Sequence, residues 1–353
     1  MVAVLSMVVA TCSSDPATVD TLAVLSFTEH EVAFPSPAGF ELAGTLSVPD
    51  GSGPFPAVAL VTGSGPQDRD ETLGRHRPFF DIATDLAGRG IVVLRFDDRG
   101  FGASGGSFEG ATTFDFADDV RGAVDFLAAD ARVDGNRIGV LGHSEGGVVA
   151  PIVAEQTERV SFVVLLAGTA VTGREILIGQ QDDVMRSEGA SDEEREWQLS
   201  WIVPIIEAAA TDQPDDALEA TIRSIMAEAA SEAPDGVSDL EVEAATPVMV
   251  QTFLDPWMRT FLRHDPVPAL EALDIPTLAV LAELDIQVTP ARNEASLRAA
   301  LAGNPGAEVV VLPGLNHLFI EAETGAVSEY EQLPGPVAPS LLDLVGEWIM
   351  RQP

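Results

Sequence analysis

A serine flanked by glycines stands between a predicted strand and a predicted helix in the stretch RIGVLGHSEGGVVAPIVA, residues 137–154. Residues 138–141 have the continuous apolar character of a buried strand, and residues 148–154 have the apolar spacing of a helix face. Between them lie Gly142, His143, Ser144, Glu145 and Gly146, a G-x-S-x-G sequence. A turn this tight strains the serine backbone, needs glycine where a Cβ atom would collide, and exposes Oγ as a nucleophile for acyl transfer.

Two backbone N–H groups are expected to stabilise negative charge on the oxygen of a carbonyl that the serine attacks. The first is that of Glu145, which follows the serine directly. The second is expected from residues 60–71, LVTGSGPQDRDE, where the N–H of Ser64 is preferred and that of Gly63 is the alternative. A neighbouring loop, residues 95–106 (RFDDRGFGASGG), is expected to be locked in place by ion pairs of its Asp and Arg side chains.

A serine hydroxyl needs a base to remove its proton, and the chain contains five histidines. Four of them have other placements: His30 precedes the sheet, His264 lies in a helical insertion, His143 lies within the turn, and His76 is more typical of a helix start. His317 follows VVVLPGLN on the loop after the last strand, at the same edge of the sheet as the serine. We therefore predict His317 as the base.

A carboxylate usually orients such a histidine, and the run LAVLAELDIQVTP offers two candidates. Asp285 stands at the tip of this strand, before a polar turn, where loop residues carry chemistry. Glu283 falls within the strand and would point into the sheet packing or toward solvent. The sequence therefore predicts a triad of Ser144, Asp285 and His317, with Glu283 as the competing acid.

The elements around these residues follow an α/β pattern from residue 31 onward. HEVAFPS and FELAGTLSVP alternate around a Pro/Gly turn, which predicts an antiparallel hairpin. Six further runs are short and continuously apolar, as in strands buried on both faces of a parallel sheet; they are PAVALVTG, IVVLRFDD, IGVLGHS, FVVLLAG, PTLAVLAELD and AEVVVLPG. With helical patterns between them, the sequence predicts an α/β fold with an eight-stranded, mostly parallel sheet flanked by helices.

Residues 169–270 follow the sixth predicted strand and contain only helical patterns. A structureless loop of that length is implausible, so we predict a helical cap inserted at this point. The chain then divides into an N-terminal segment, 1–29, a core formed by 30–168 and 271–353, and the cap. The cap contains Trp197, Trp201 and Trp257, which would either pack its own core or line an apolar pocket.

The composition is that of a globular protein with one large domain or a domain plus an insertion, since 46% of the 353 residues are hydrophobic. Acidic residues outnumber basic ones 56 to 19, the formal net charge is -37, and every basic residue is arginine. Such a field repels nucleic acid and anionic lipid headgroups, so neither is expected as a partner. No histidine pair has zinc-ligand spacing and no glycine-rich loop fits a dinucleotide, so no metal or organic cofactor is expected.

The N-terminal segment carries the only cysteine, Cys12. An apolar run at residues 2–10 precedes it, shorter than the roughly 20 residues that a membrane-spanning helix needs. VATC followed by SSDPATVD resembles a bacterial lipoprotein signal, although no Lys or Arg precedes the run and Thr11 is unusual before the cysteine. We therefore expect export and lipidation of Cys12 at the cell envelope. The alternative is a cytoplasmic chain with a disordered N-terminus and a buried or inert Cys12.

Four motifs together resemble the α/β-hydrolase superfamily over roughly residues 30–350: GSGPQDRDE, FDDRGFGASGG, GHSEGG and LLAGTAVTGREILIGQQ. Within it they are similar to bacterial carboxylesterases related to dienelactone hydrolase and to prolyl-oligopeptidase-like hydrolases. The chain order Ser144, Asp285, His317 is the order found in that superfamily. The resemblance implies a cap over the carboxyl edge of the sheet, these three residues as the triad, and the N–H groups of Ser64 and Glu145 as the oxyanion hole.

The resemblance also implies a serine hydrolase that cleaves small to medium acyl esters through an acyl-enzyme. A thioesterase or acyltransferase would use the same triad, and a peptidase on this fold usually needs a large gating domain. A catalytically dead binding scaffold is the alternative from another class, but such proteins lose triad members. The thioesterase, acyltransferase and peptidase share the fold and the triad with the esterase and differ from it in the substrate, whereas a dead scaffold would not react with a fluorophosphonate probe.

Overall fold

The structure is a computed structural model that describes residues 25–234 and 238–353. Cys12 and its tether lie outside the described residues. Eight strands form one sheet: β1 Phe27–Pro35, β2 Glu41–Pro49, β3 Phe55–Val61, β4 Val92–Phe96, β5 Val133–His143, β6 Val160–Leu166, β7 Thr277–Ala282 and β8 Ala307–Leu312. Their order in the sheet is β1-β2-β4-β3-β5-β6-β7-β8.

The sheet is parallel except at one edge. β2 pairs antiparallel with both β1 and β4, and the remaining neighbours are parallel. The predicted eight-stranded, mostly parallel sheet with an opening hairpin is therefore confirmed. β5 lies in the middle, with Leu141 opposite Leu60 of β3 and Val164 of β6. The carboxyl ends of β3 to β8 thus meet at one edge, where open α/β sheets place their sites.

Eleven α-helices accompany the sheet in the described residues: α1 Pro78–Gly88, α2 Thr113–Ala129, α3 Gly146–Gln156, α4 Gly173–Ser187, α5 Asp192–Ala209, α6 Asp215–Ser231, α7 Asp239–Leu254, α8 Pro256–Arg263, α9 Val267–Glu271, α10 Pro290–Ala300 and α11 Pro339–Arg351. α2 packs against α3, and α1 packs against α11. The helical patterns between the predicted strands are therefore real helices.

The main core lies between the sheet and these flanking helices. Strands β3, β4, β6 and β7, together with residues 138–143 of β5, are almost wholly buried, because helices cover both faces of the sheet. Trp348 of α11 packs edge-on against Phe162 of β6, with 6.1 Å between ring centroids. Gly139 of β5 makes room for Phe162, since a Cβ atom there would lie 2.0 Å from the ring. This close packing holds the central strands, and hence the turn after β5, in place.

Helices α4 to α9 lie between β6 and β7, and part of this region has a core of its own. The buried residues of that core are mostly aliphatic and include Ile205, Ile206, Leu218, Ile222 and Met226. Trp197 and Trp201 pack against this cluster, and the indole of Trp197 donates to the carbonyl of Ala229 at 3.2 Å. Trp197 and Trp201 therefore pack the core of this helical region.

One helix boundary differs from the sequence expectation. The run PVMVQTFLDPWMRTFL, residues 247–262, reads as a single helix, but the structure divides it between α7 and α8 at Asp255. Asp255 has an extended ψ of 130° because the following Pro256 disfavours a helical conformation in the residue before it. Its side chain accepts the N–H of Trp257 and so begins α8. No helix among the described residues has the length and hydropathy needed to cross a bilayer.

Candidate active site

The turn after β5 places Ser144 in a strained conformation, with φ at 53°. The close approach of two chain segments makes glycine necessary on both sides. A Cβ atom at Gly142 would lie 1.9 Å from the carbonyl oxygen of Gly146, and one at Gly146 would lie 2.2 Å from that of Val61. The N–H of Ser144 donates to the carbonyl of Leu166 at 2.8 Å, which ties the turn to β6. The side chain of Ser144 is therefore presented at the carboxyl edge of the sheet.

Strain of this kind is concentrated around Ser144. Four non-glycine residues of the described chain have positive φ: Glu71 at 53°, Ser144 at 53°, Ala167 at 49° and Phe319 at 57°. The first three line one cavity, and Phe319 follows His317 by two positions. Left-handed backbone at such residues persists only where the surroundings impose it, and it is enriched at functional sites.

Asp285 and His317 are brought together at the ends of β7 and β8. Nδ1 of His317 lies 2.7 Å from Oδ2 of Asp285, and both side chains are buried. Oδ1 of Asp285 accepts the N–H groups of Gln287 and Val288 at 2.7 and 2.8 Å. Burial opposes the charge of this carboxylate, but the His317 ring and the two amides outweigh it and lower the pKa of Asp285. Within the described residues no group bonds to Nε2 of His317, so this nitrogen can act on another group.

Glu283, the competing acid, does not contact His317. It is exposed, and its Oε2 accepts the N–H of Gly314 at 2.8 Å. The His317 loop is held instead by the buried side chain of Asn316, whose Oδ1 accepts the N–H groups of Leu318 and Ile320 at 3.0 and 3.1 Å. Sequence reasoning missed this asparagine, because the two bonds exist only once the loop has folded back on itself.

Ser144 and His317 line the same cavity, of about 300 Å³. The structure has no hydrogen bond between the two side chains, although contacts of this kind are often long before substrate binds. Apolar residues from the helices between β6 and β7 form one wall, namely Ile176, Leu177, Trp257, Met258 and Phe261. Trp257 therefore takes the pocket-lining role that was left open for the tryptophans, and its ring stacks on Phe261 at 5.4 Å.

Hydrogen bonding in the loop after β3 distinguishes the two candidates for the second oxyanion donor, Ser64 and Gly63. The N–H of Gly63 donates to Oε1 of Glu71 at 2.7 Å, so it is not available to a substrate. The prediction of Gly63 as the alternative second oxyanion donor is therefore wrong. No acceptor within the described residues takes the N–H of Ser64 or that of Glu145. Both residues line the cavity beside Ser144.

The side chain of Glu145 joins the turn to α8. Its buried Oε1 accepts the indole N–H of Trp257 at 2.8 Å and the hydroxyl of Thr113 at 2.7 Å. Burial raises the pKa of Glu145 in spite of these two hydrogen bonds. Sequence reasoning used only the backbone N–H of Glu145 and missed this contact, which spans 112 positions of the chain.

The ion pairs expected in the loop after β4 are present. They join Arg69 to Asp97, Arg95 to Asp70, and Arg99 to Asp119. Asp98, between these residues, accepts the hydroxyl of Thr62 and the N–H of Gln67, both at 2.8 Å. Burial raises the pKa of Asp98 to about 7, against the effect of these two bonds. The loop after β4 therefore supports the loop that carries Ser64.

The other four histidines do not hydrogen-bond to Asp285. His30 is exposed on β1, and His264 follows α8 with its ring edge-on to Phe114. His76 precedes α1, and its Nε2 bonds to the carbonyl of Tyr330 at 2.7 Å. His143 contacts Glu71 and the backbone of His317. Within the described residues no group of three His, Cys, Asp or Glu side chains could hold a metal ion.

This sheet order, with a strained serine after its fifth strand, defines an α/β hydrolase. The sequence profile of the alpha/beta hydrolase family matches residues 51–329, and the chain belongs to that family, as the motifs predicted. The chain is 29% identical to the esterase EstD of Thermotoga maritima over 333 residues. This alignment covers 92% of this chain and 71% of the relative.

Solved structures show the same fold. Esterase Pf2001 of Pyrococcus furiosus matches with a TM-score of 0.54 and 16% identity, over 92% of this chain and 93% of that one. The alpha/beta hydrolase GrgF of a Penicillium species matches with a TM-score of 0.55 and 17% identity, over 92% of this chain and 99% of that one. At these identities the likeness extends to the fold alone.

Proposed function

We propose that this protein is a serine carboxylic-ester hydrolase in which Ser144, His317 and Asp285 form the catalytic triad. One observation carries the proposal: a serine held at positive φ shares a cavity with a histidine whose Nδ1 is bonded to a buried carboxylate. The order of the three residues along the chain is that of α/β hydrolases. The curated relative EstD is itself named an esterase.

The mechanism follows from the positions of these groups. Nε2 of His317 accepts the proton of Ser144 as Oγ attacks the ester carbonyl, and Asp285 stabilises the imidazolium that forms. The same proton then passes to the leaving alcohol, and an acyl-enzyme remains on Ser144. A water molecule, activated by His317 in the same way, releases the acid and restores the serine.

Two backbone N–H groups stabilise the oxyanion of each tetrahedral intermediate. That of Glu145 lies at the start of α3, where no carbonyl of a preceding helical turn can accept it. The N–H of Ser64 is the next one along the chain after that of Gly63, whose hydrogen is already donated to Glu71. Each donor of this kind contributes about 3 kcal/mol to lowering the barrier.

The substrates that suit the cavity are esters of small to medium acyl chains. Its volume of about 300 Å³ lies at the lower end of ligand pockets, and its wall of Ile176, Trp257, Met258 and Phe261 is apolar. Residues 169–270 act in this proposal as a cap that closes the site. The cap rather than the sheet then determines which acyl group is accepted.

The experiment is hydrolysis of a graded series of p-nitrophenyl esters, with thioester and peptide substrates alongside. We expect the ester series to be cleaved fastest, with a maximum at short to medium chains, and Ser144→Ala to abolish turnover while thermal unfolding is unchanged. A fluorophosphonate probe should label Ser144 in the wild type only. A fully active Ser144→Ala variant, or an unlabelled wild type, would contradict the triad.

We also propose that the chain is exported and anchored to the cell envelope through a lipidated Cys12. The support is the motif VATC with its apolar run and polar tether. Mass spectrometry of the membrane fraction should find a diacylglyceryl cysteine as the mature N-terminus. A chain recovered with an intact Met1 would contradict this proposal.

A further inference from the structure

A second carboxylate and histidine lie behind the proposed triad. Oε1 of Glu71 lies 2.9 Å from Nδ1 of His143 and also accepts the N–H of Gly63 at 2.7 Å. Both side chains are buried, since each residue is only 5% exposed. Gly63 precedes the proposed donor Ser64, and His143 precedes the nucleophile. One carboxylate oxygen therefore joins the oxyanion loop to the nucleophile turn.

The other nitrogen of His143 extends this connection to the histidine loop. Nε2 of His143 lies 2.9 Å from the carbonyl oxygen of His317, and the two rings are 4.7 Å apart between centroids. Three loops, after β3, β5 and β8, are thus linked through Glu71 and His143. These loops carry Ser64, Ser144 and His317.

The two partners of His143 determine how many protons its ring carries. A carboxylate oxygen and a backbone carbonyl can only accept, and a neutral imidazole has a single N–H to donate. With Glu71 ionised, both hydrogen bonds form together only if His143 is an imidazolium. Burial disfavours that charge, but the carboxylate of Glu71 outweighs it and the pKa of His143 is raised. Other ionisable groups near the pair are the ring of His317, the carboxyl of Asp285 and, near Glu71, the carboxyl of Asp98.

We propose that Glu71 and His143 form a buried ion pair whose task is to position the oxyanion loop and the His317 loop around Ser144. This rests on the proposed function, because the positioned groups are those of the proposed reaction. Neither residue touches the reacting atoms in this role. Both are therefore positioning residues.

Two features of Glu71 favour this role over simple stabilisation of the fold. Its φ of 53° places a non-glycine residue in the left-handed region, which is retained where function requires it. Its buried Oε2 has no hydrogen-bond partner among the described residues. A buried ion pair with one unsatisfied oxygen is a poor source of stability, because its desolvation is incompletely compensated.

The proposal predicts which kinetic constant depends on the pair. Glu71 and His143 line the cavity, but its apolar wall, which would bind the acyl chain, is formed by other residues, among them Ile176, Trp257 and Phe261. A displacement of the loops by a fraction of an ångström affects the reacting geometry and lowers turnover by about 10- to 100-fold. We therefore expect Glu71→Gln to lower kcat and to change KM less than twofold.

The first test counts protons on the wild-type ring. In protein with ¹⁵N-labelled histidine, the resonances of His143 are assigned by their loss in His143→Gln. We expect both ring nitrogens of His143 to carry a proton at neutral and mildly alkaline pH. A single ring proton over that range would overturn the ion pair, and this measurement does not require enzymatic activity.

The second test measures p-nitrophenyl acetate hydrolysis by Glu71→Gln, His143→Gln and the double variant. Residues that act as one unit are not additive, so the double variant should be no slower than the slower single variant. His76→Gln is the matched control, since His76 is also 5% exposed and bonds through Nε2 to a backbone carbonyl. It should keep the wild-type kcat.

Two results of the second test would overturn the positioning role: a kcat of Glu71→Gln equal to that of His76→Gln, or losses that multiply in the double variant. Failure of the proposed function looks different. An inactive wild type in which His143 still carries both protons would refute the esterase and leave the ion pair intact.

Discussion

The substitution Asp285→Asn tests the triad most directly, because the structure determines how the new amide must lie. Oδ1 of Asp285 accepts two backbone N–H groups, from Gln287 and Val288. Only an acceptor suits that position, so the amide oxygen of the asparagine must take it. The NH₂ group then replaces Oδ2 and faces Nδ1 of His317, which lies 2.7 Å away in the wild type.

The magnitude follows from the tautomer that this arrangement imposes. The NH₂ group can only donate, so Nδ1 of His317 becomes an acceptor and the ring proton moves to Nε2. A protonated Nε2 cannot remove the proton of Ser144. Imposing the wrong tautomer in a serine triad lowers kcat by about 10⁴-fold, which corresponds to about 5 kcal/mol in the barrier.

The assay is steady-state hydrolysis of p-nitrophenyl acetate near neutral pH, with thermal unfolding as the measure of folding. Glu283→Gln is the matched control, because Glu283 is exposed and its amide analogue still accepts the N–H of Gly314. The control should retain wild-type activity. If Asp285→Asn keeps more than about a tenth of kcat, the tautomer argument is wrong. If Glu283→Gln is the damaged variant, Glu283 rather than Asp285 is the acid.

Two further predictions concern the loops around the triad. Burial raises the pKa of Asp98 to about 7 in the folded protein, so its contribution to stability is present at low pH and is lost as pH rises toward that value. Asp98→Asn retains the uncharged form. Its free energy of unfolding minus that of the wild type should therefore grow by about 1.4 kcal/mol per pH unit from about pH 4 and level off above about pH 7. Chemical denaturation at several pH values measures this, and a difference that does not change with pH would contradict it. Trp257→Phe removes the donor to the buried Glu145 carboxylate and loosens α8 over the cavity, so KM should rise several-fold with kcat nearly unchanged. Leaving a buried acceptor short of a partner should also cost about 1 to 3 kcal/mol in unfolding, and a variant with wild-type KM and stability would refute the contact.

The sheet was predictable because its signal is local. A strand buried on both faces must be apolar at every position, and residues 138–141, like the other continuous runs, show it without reference to a partner. The helix boundary at Asp255 was missed for a related reason. Apolar periodicity continues through residues 247–262, whereas the interruption comes from the proline ring acting on the residue before it. The Asp-Pro dipeptide was the signal available.

The proposed site divides in the same way. Ser144 is signalled by glycines two positions away, and Asp285 and His317 by their places after strands. The contact between Glu71 and His143 spans 72 positions and depends on the positive φ of Glu71, which no periodicity records. The sequence also gives no sign that a side chain has already taken a backbone N–H group. That the N–H of Gly63 is already occupied follows only from where Glu71 folds back.

The two carboxylate–histidine pairs reach His317 through different atoms and should therefore control different properties of it. Asp285 bonds to Nδ1 of the ring, whereas His143 bonds to the backbone carbonyl. The first contact sets the tautomer, and the second sets the place of the loop. The Nδ1 proton of His317, held in a short charge-assisted bond, should give a downfield proton NMR signal. That signal should persist in Glu71→Gln, although kcat falls, and disappear in Asp285→Asn. Its loss in both variants would show that position and tautomer are not separable, and that Glu71 acts on the ring itself.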